Sequence, residues 1–159
     1  MTTSITTFLT YDTQAEEAAT LYTSLFDGKI KETMRYPTGG PRPEGSVLSV
    51  TFELRGQTYI ALNGGPTFTF TQGFSLMVQC DTQAEIDRLW KKLTENGGKE
   101  VQCGWLVDKF GVSWQIVPKQ LGGMLSHKDK ARSGRTMQAM MGMQKLDLAK
   151  LQAAFDGVS

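Results

Sequence analysis

The chain has 159 residues, of which 40% are hydrophobic and 21% charged, and seventeen basic against sixteen acidic side chains leave a formal charge of +1. That length buries the core of one ordinary domain or of two small halves, and the composition excludes disorder and coiled coil. The near-balanced charge excludes the clustered basic footprint that nucleic acid or an anionic membrane surface requires. No apolar run approaches the roughly 20 residues of a membrane-spanning helix. Met1-Thr2-Thr3-Ser4-Ile5 lacks the basic and apolar regions of a signal peptide. Two cysteines, Cys80 and Cys103, make no disulfide framework in a chain of this size. A cytoplasmic protein with free thiols is therefore expected.

In chain order, Ile5 to Tyr11 reads as a short strand. A helical stripe follows at Ala15, Ala18, Ala19, Leu21, Tyr22, Leu25 and Phe26 and closes on Gly28. A strand is predicted over Lys29 to Tyr36, then a loop at Pro37-Thr38-Gly39-Gly40-Pro41-Arg42-Pro43. Leu48, Val50, Phe52 and Leu54 alternate with Ser49, Thr51, Glu53 and Arg55, the period-two mark of a half-buried strand. A turn at Arg55-Gly56-Gln57 leads into Thr58 to Asn63. Gly64-Gly65-Pro66 opens a connection.

The order then repeats. Asp12-Thr13-Gln14-Ala15-Glu16 recurs as Asp81-Thr82-Gln83-Ala84-Glu85, each copy following a strand and opening a helix. Thr13 with Glu16, and Thr82 with Glu85, have the spacing of a capping box. Phe74 to Cys80 is the second leading strand, and Ile86, Leu89, Trp90 and Leu93 form the second helical stripe, ending at Gly97-Gly98. Lys99 to Cys103, Trp105 to Asp108 and Val112 to Val117 complete three further strands, the last two joined through Lys109-Phe110-Gly111. The predicted fold is α+β. Two βαβββ modules, about residues 1–65 and 74–118, form one domain over 1–118, and a helical extension covers 119–159. A basic linker from His127 to Arg135 is expected within that extension.

Tandem βαβββ modules are the layout of the vicinal oxygen chelate, or glyoxalase-like, superfamily. Tyr59-Ile60-Ala61-Leu62-Asn63-Gly64-Gly65-Pro66, Phe74-Ser75-Leu76-Met77-Val78-Gln79-Cys80-Asp81 and Asp108-Lys109-Phe110-Gly111-Val112-Ser113-Trp114-Gln115-Ile116-Val117-Pro118 resemble its PhnB-like branch. So do Cys103-Gly104-Trp105-Leu106 and Met137-Gln138-Ala139-Met140. That branch is also labelled demethylubiquinone methyltransferase-like. The resemblance implies mixed sheets curled into cups, usually completed by homodimerisation. In metal-using members, side chains of the first and fourth strands of paired modules hold a divalent ion. The matching positions here are Ile5 to Thr7, Phe74 or Ser75, Ala61 or Asn63, and Gln115, and none is His, Asp or Glu. The single histidine, His127, lies outside both modules. Such an ion needs anionic oxygen or imidazole ligands, so no metal and no cofactor are expected. Nor is there a glycine-rich strand-to-helix turn of the kind common S-adenosylmethionine enzymes use.

Under the resemblance, Gln115 and Asn63 point into a cup and are candidates to bond a polar ligand; the bland alternative is that each satisfies a neighbouring group. Trp105, with Trp114 on the adjacent strand and Phe8 and Met77 across the sheet, offers aromatic or apolar lining, although core packing is the commoner role of such residues. Cys80 precedes a helix start, where a thiol can be activated. It has no partner base, and both cysteines read better as small buried hydrophobes.

Five of the eight methionines (Met124, Met137, Met140, Met141 and Met143) lie in the extension and suit an irregular interface. The leading functional expectation is a metal-independent small-molecule binding protein, a homodimer that touches neither nucleic acid nor membrane. Drug-sequestering members of the superfamily are the analogy. An enzyme drawing a carboxylate from Glu53, Glu100 or Asp108 is the runner-up. A protein-interaction module built on the C-terminal helices is a third possibility.

Overall fold

Period-two and helical spacing resolve into a strand, a helix and three further strands, twice over. The computed structural model describes residues 2–158, divided into two units, residues 2–69 and 70–158.

The first unit runs β1 (Thr7–Tyr11), α1 (Ala15–Leu25), β2 (Lys29–Arg35), β3 (Val47–Leu54) and β4 (Gln57–Asn63). Its sheet has the order β1-β4-β3-β2, with β1 parallel to β4 and the other pairs antiparallel. Arg55 and Gly56, with φ of 49° and 83°, form the two-residue turn between β3 and β4, whose twist suits a tight hairpin. Leu9, Tyr11, Val50, Phe52, Tyr59 and Ala61 are buried on the face that α1 covers with Ala18, Ala19 and Tyr22. The Phe52 and Tyr59 rings stack at 5.5 Å. Alternation sends Phe8, Thr10, Ser49, Thr51, Ile60 and Leu62 to the opposite face, where Phe8 is 53% exposed.

The second unit contains β5 (Ser75–Cys80), α2 (Gln83–Thr94), β6 (Lys99–Glu100), β7 (Trp105–Val107) and β8 (Ser113–Pro118). Its sheet repeats the first in the order β5-β8-β7-β6. Ile86, Leu89, Trp90 and Leu93 of α2 are buried with Leu106, Trp114 and Ile116. The chain then forms α3 (Leu121–Leu125), α4 (Lys130–Met141) and α5 (Leu148–Asp156). These helices belong to the second unit. Leu121, Met124, Leu146 and Leu151 share a buried cluster with Val117 of β8.

Three details differ from the sequence reading. The first capping box does not start its helix: Gln14 stands at the cap without a side-chain capping bond, and Asn63 Oδ1 accepts the Ala15 N–H at 2.9 Å instead. The second box forms, with Thr82 Oγ1 accepting from the Glu85 N–H and the Glu85 carboxylate accepting from the Asp81 N–H, both at 3.2 Å. The stretch His127 to Arg135 is not a linker throughout, because Asp129 caps α4 by accepting from the Ala131 and Arg132 N–H groups. Arg132 and Arg135 then donate to the Phe155 and Ala154 carbonyls at the end of α5. They cap the Phe155 carbonyl and share the Ala154 carbonyl with the Gly157 N–H.

The third difference is the strand expected over Lys99 to Cys103, which stops at Glu100. Cys103 and Gly104 instead adopt φ of 60° and 83° in a turn closed by the Trp105 N–H on the Gln102 carbonyl. That turn receives the extension. Cys103 and Gly104 donate their N–H groups to the Met143 and Gln144 carbonyls, each at 2.8 Å. The Gln83 side chain donates to the Leu146 carbonyl at 3.0 Å and accepts from the Leu148 N–H at 2.7 Å, and Lys145 pairs with Asp87 at 2.8 Å. Hydrogen bonds from Lys145 and then Gln83 hold the Asp87 carboxyl below its ordinary pKa.

A Cβ on Gly104 would lie 2.9 Å from Leu146 Cδ1 and 3.0 Å from the Ile116 carbonyl oxygen. Gly104→Ala is therefore expected to cost about 2 kcal/mol or more in urea unfolding. Gly122→Ala, whose Cβ meets nothing within 4 Å, is the control and should be neutral or stabilising. Equal effects at the two positions would show that the extension does not crowd this turn.

Candidate ligand-binding site

Because α2 covers one face of the second sheet, the opposite face carries the side chains of alternate residues. Register aligns Met77 of β5 with Gln115 of β8, and Gln115 with Trp105 of β7. Three sequence candidates thus form one row across three strands. Met77 is 54% exposed, while Trp105 and Gln115 are half-buried. The next row aligns Ser75 with Ser113 and Ser113 with Val107. Gln115 Nε2 donates to Ser75 Oγ at 2.9 Å, which orients the amide. A depression of about 310 Å³ lies beside these rows, and its walls, which include Trp105, Val107, Ser113 and the Val101-to-Cys103 turn, hold no charged side chain.

The other candidates fall elsewhere. Phe8 sits on the first sheet, in the row Phe8–Ile60–Thr51. In the repeat it occupies the position of Met77 and is no neighbour of Trp105 within the second sheet. Asn63 faces the helix-covered side and is 6% exposed. Its Oδ1 accepts from Ala15, its Nδ2 donates to the Val47 carbonyl at 3.0 Å, and its own carbonyl accepts from Tyr36 Oη at 2.8 Å. Asn63 is a strut, with no amide group left over. The second-sheet position matching Asn63 is Pro118, and the first-sheet position matching Gln115 is Ile60, as the registers Tyr11–Asn63, Cys80–Pro118, Phe8–Ile60 and Met77–Gln115 require.

Trp114 is core, 2% exposed, and donates Nε1 to Asp108 Oδ2 at 2.9 Å. Asp108 Oδ1 also accepts from the Phe110 and Val112 N–H groups at 2.9 and 3.0 Å. The remaining carboxylates considered for chemistry are likewise engaged: Glu100 accepts from Trp90 Nε1 at 2.5 Å, and Glu53 lies 3.7 Å from Lys31. A second depression of about 260 Å³, in the first unit near Thr13, Glu16 and Ser46, contains Arg42. That guanidinium is paired with Asp12 at 3.1 Å. Sequence reasoning named Ser75 only as a position matching a metal ligand and passed over Ser113. The signal was present, since Ser75 lies two residues before Met77 and Ser113 two before Gln115, on the same face.

A divalent ion of the kind the superfamily implies does not fit these side chains. The positions on the first and fourth strands of the second sheet hold Ser75 and Gln115, neutral groups bonded to each other. Among the described residues no three His, Cys, Asp or Glu side chains cluster. S-adenosylmethionine held by a glycine-rich turn fits no better, because the connections from β1 to α1 and from β5 to α2 contain no glycine. No helix of the described residues is long and apolar enough to cross a membrane.

Two mixed four-stranded βαβββ sheets define the glyoxalase-like fold of the vicinal oxygen chelate superfamily. The family model described as 3-demethylubiquinone-9 3-methyltransferase matches residues 3–117, and the chain belongs to that PhnB-like family. A PhnB protein from Bacillus cereus is 41% identical over 73% of this chain and 99% of its own, with a TM-score of 0.67. Protein PA1353 from Pseudomonas aeruginosa shares the fold at 20% identity, over 74% of this chain and 98% of its own, with a TM-score of 0.60. Fosfomycin resistance protein FosX from Mesorhizobium loti also shares it, at 11% identity, over 80% of this chain and 99% of its own, with a TM-score of 0.56. Among curated proteins there is no match. Helices α3 to α5 lie beyond the residues that the family model matches.

Asp108→Asn would turn an amide N–H₂ or a single acceptor toward three N–H donors. The expected cost is about 2–3 kcal/mol in thermal or urea unfolding, and wild-type stability would show that the charge is dispensable. Burial, followed by the charges of Glu85 and Asp81, pushes the Cys80 thiol up to about 12, against an opposing influence of Arg88. A thiol reagent at pH 8 should therefore modify Cys103 but not Cys80 in the native protein, and both in urea. Because the folded state holds the Cys80 proton more tightly, this group's contribution to stability is intact below the ordinary thiol pKa. It is lost as pH rises from there toward about 12. Rapid native labelling of Cys80 would contradict both statements.

Proposed function

We propose that the chain is a metal-independent small-molecule binding protein, a cytoplasmic homodimer that receives its ligand on the open face of the second sheet. The row Met77–Gln115–Trp105 carries this reading. An exposed thioether, an oriented amide and a half-buried indole on one strand-crossing line supply apolar contact and one directional hydrogen bond, the usual make-up of a small-ligand site. The Gln115 Nε2 bond to Ser75 leaves the amide carbonyl oxygen for a ligand donor. The first sheet offers a more apolar counterpart in Phe8, Ile60 and Thr51. The carboxylates available for acid–base work are engaged in structural bonds or an ion pair, which favours binding over turnover.

Native mass spectra of the gently purified protein test the proposal. The expected species is a dimer carrying extra organic mass and no metal. A stoichiometric divalent ion would overturn the metal-independent reading, and a monomer would remove the dimer. Gln115→Ala should weaken retention of that organic mass by roughly five- to tenfold, the effect of one hydrogen bond. Undiminished retention would move the site off this row.

A further inference from the structure

We infer that the extension is a size-selecting end wall for the open face of the second sheet. It closes the third row of that face and confines a ligand to the two rows before it, which suits a compact molecule of one or two rings and excludes an elongated one. The inference rests on the ligand-binding reading of that face and adds the size class of the ligand and the element that imposes it.

Alternation fixes the rows. Trp114 and Ile116 of β8 are buried beneath α2, at 2% and 0% exposure, so Ser113, Gln115 and Val117 stand on the opposite face. Register places Ser75 beside Ser113, Met77 beside Gln115 and Gln79 beside Val117. An uncovered face would leave Val117 accessible, as it leaves Met77 54% exposed, yet Val117 is 7% exposed. Its cover is the cluster of Leu121, Met124, Leu146 and Leu151, all from the extension. Polar bonds hold that cover from two sides. Gly104, whose carbonyl accepts the Ile116 N–H beside Val117, donates its own N–H to the Gln144 carbonyl, both at 2.8 Å. Gln83 of α2 holds the Leu146 carbonyl and the Leu148 N–H, and Lys145 pairs with Asp87.

What stays open has a definite size. Rows on one face lie two residues, or about 7 Å, apart, and the three strands from β5 to β7 span about 10 Å. The depression beside β7 is bounded in the same way, by the Cys103 turn that the extension holds. A patch of that size takes one or two rings lying flat. A chain running on from Gln115 along β8 meets the buried Val117 and its cover after one row. The residues matched by the family model stop at 117, so the wall is an addition to the shared modules.

The test uses 4-ethylphenol and 4-hexylphenol, titrated into the full chain and followed by backbone amide NMR shifts. The two share a ring and a hydroxyl and differ by four methylenes. On an open apolar surface these would tighten binding on the order of 100-fold, roughly fourfold each. With the wall in place, 4-hexylphenol is expected to gain no more than about fourfold, the worth of one methylene. Both compounds should shift residues 75–77, 105–107 and 113–115. Gln83→Ala combined with Lys145→Ala, which frees the segment 143–148, should leave 4-ethylphenol binding unchanged. In that variant the gain for 4-hexylphenol should rise to roughly tenfold or more, with shifts now reaching Val117. A larger gain in wild type, with shifts on the same strands, would overturn the wall while leaving a binding face. An unchanged ratio in a variant whose spectrum shows residues 143–148 displaced would also overturn it. If the variant does not fold, or keeps that segment in place, the wild-type ratio decides alone. Silence of both compounds overturns the inference, and the binding reading falls with it only if native spectra also show no retained organic mass.

Discussion

The buried carboxylate of Asp108 is the constraint on which the second sheet depends. A carboxylate taken out of water is costly unless its oxygens are met by donors. Asp108 meets the Phe110 and Val112 N–H groups and the Trp114 indole. Two of these bonds shape the turn from β7 to β8, and the third pins Trp114 to the helix-covered side. Strand alternation then leaves no choice for its neighbours. With Trp114 inward, Ser113 and Gln115 must stand on the opposite face, so the polar groups of that face are placed through the bond between Asp108 and Trp114.

The two modules solve one problem by different means, even where their residues are identical. Both helices begin in the same pentapeptide, and both need acceptors for their first N–H groups. In the first, Asn63 at the end of β4 supplies the acceptor from across the sheet, and Gln14 is left bonding the Thr13 N–H at 3.3 Å. In the second, the position of Asn63 is taken by Pro118, which has no side-chain acceptor. That helix relies on its own Thr82, and Gln83, the counterpart of Gln14, clamps the extension. Repetition of sequence therefore preserved the geometry of the module while freeing one glutamine for a new task.

Much of this was legible beforehand because it rests on local periodicity. The strand at Leu48 to Leu54, the stripe of Ile86, Leu89, Trp90 and Leu93, and the repeated pentapeptide are patterns of two or 3.6 residues that tertiary packing did not override. The same period puts Gln115, Trp105 and Met77 on one face, where the register aligns them in a row. Asn63 takes the second of its two readings, bonding the Ala15 N–H and the Val47 carbonyl, because its role depends on register across the sheet, which local spacing does not encode. The early end of β6 was hidden for a related reason. Cys103 is an unusual residue for positive φ, and what holds it there are the Met143 and Gln144 carbonyls some forty residues away. Arg132 and Arg135 read as part of a basic linker because their acceptors, at the end of α5, lie some twenty residues away.

That same turn gives the extension a part in the open face. The residues shared with the family end near Pro118, yet Cys103 lines the depression, and its backbone N–H is held by Met143 of the extension. A non-glycine residue at positive φ persists only where its surroundings hold it. Here these are the two bonds to the extension and the close approach of Leu146 to Gly104. One wall of the depression is thus set by helices outside the repeated modules. The sheet supplies the row of side chains, the Asp108 carboxylate chooses which face they take, and the extension shapes the space beside them.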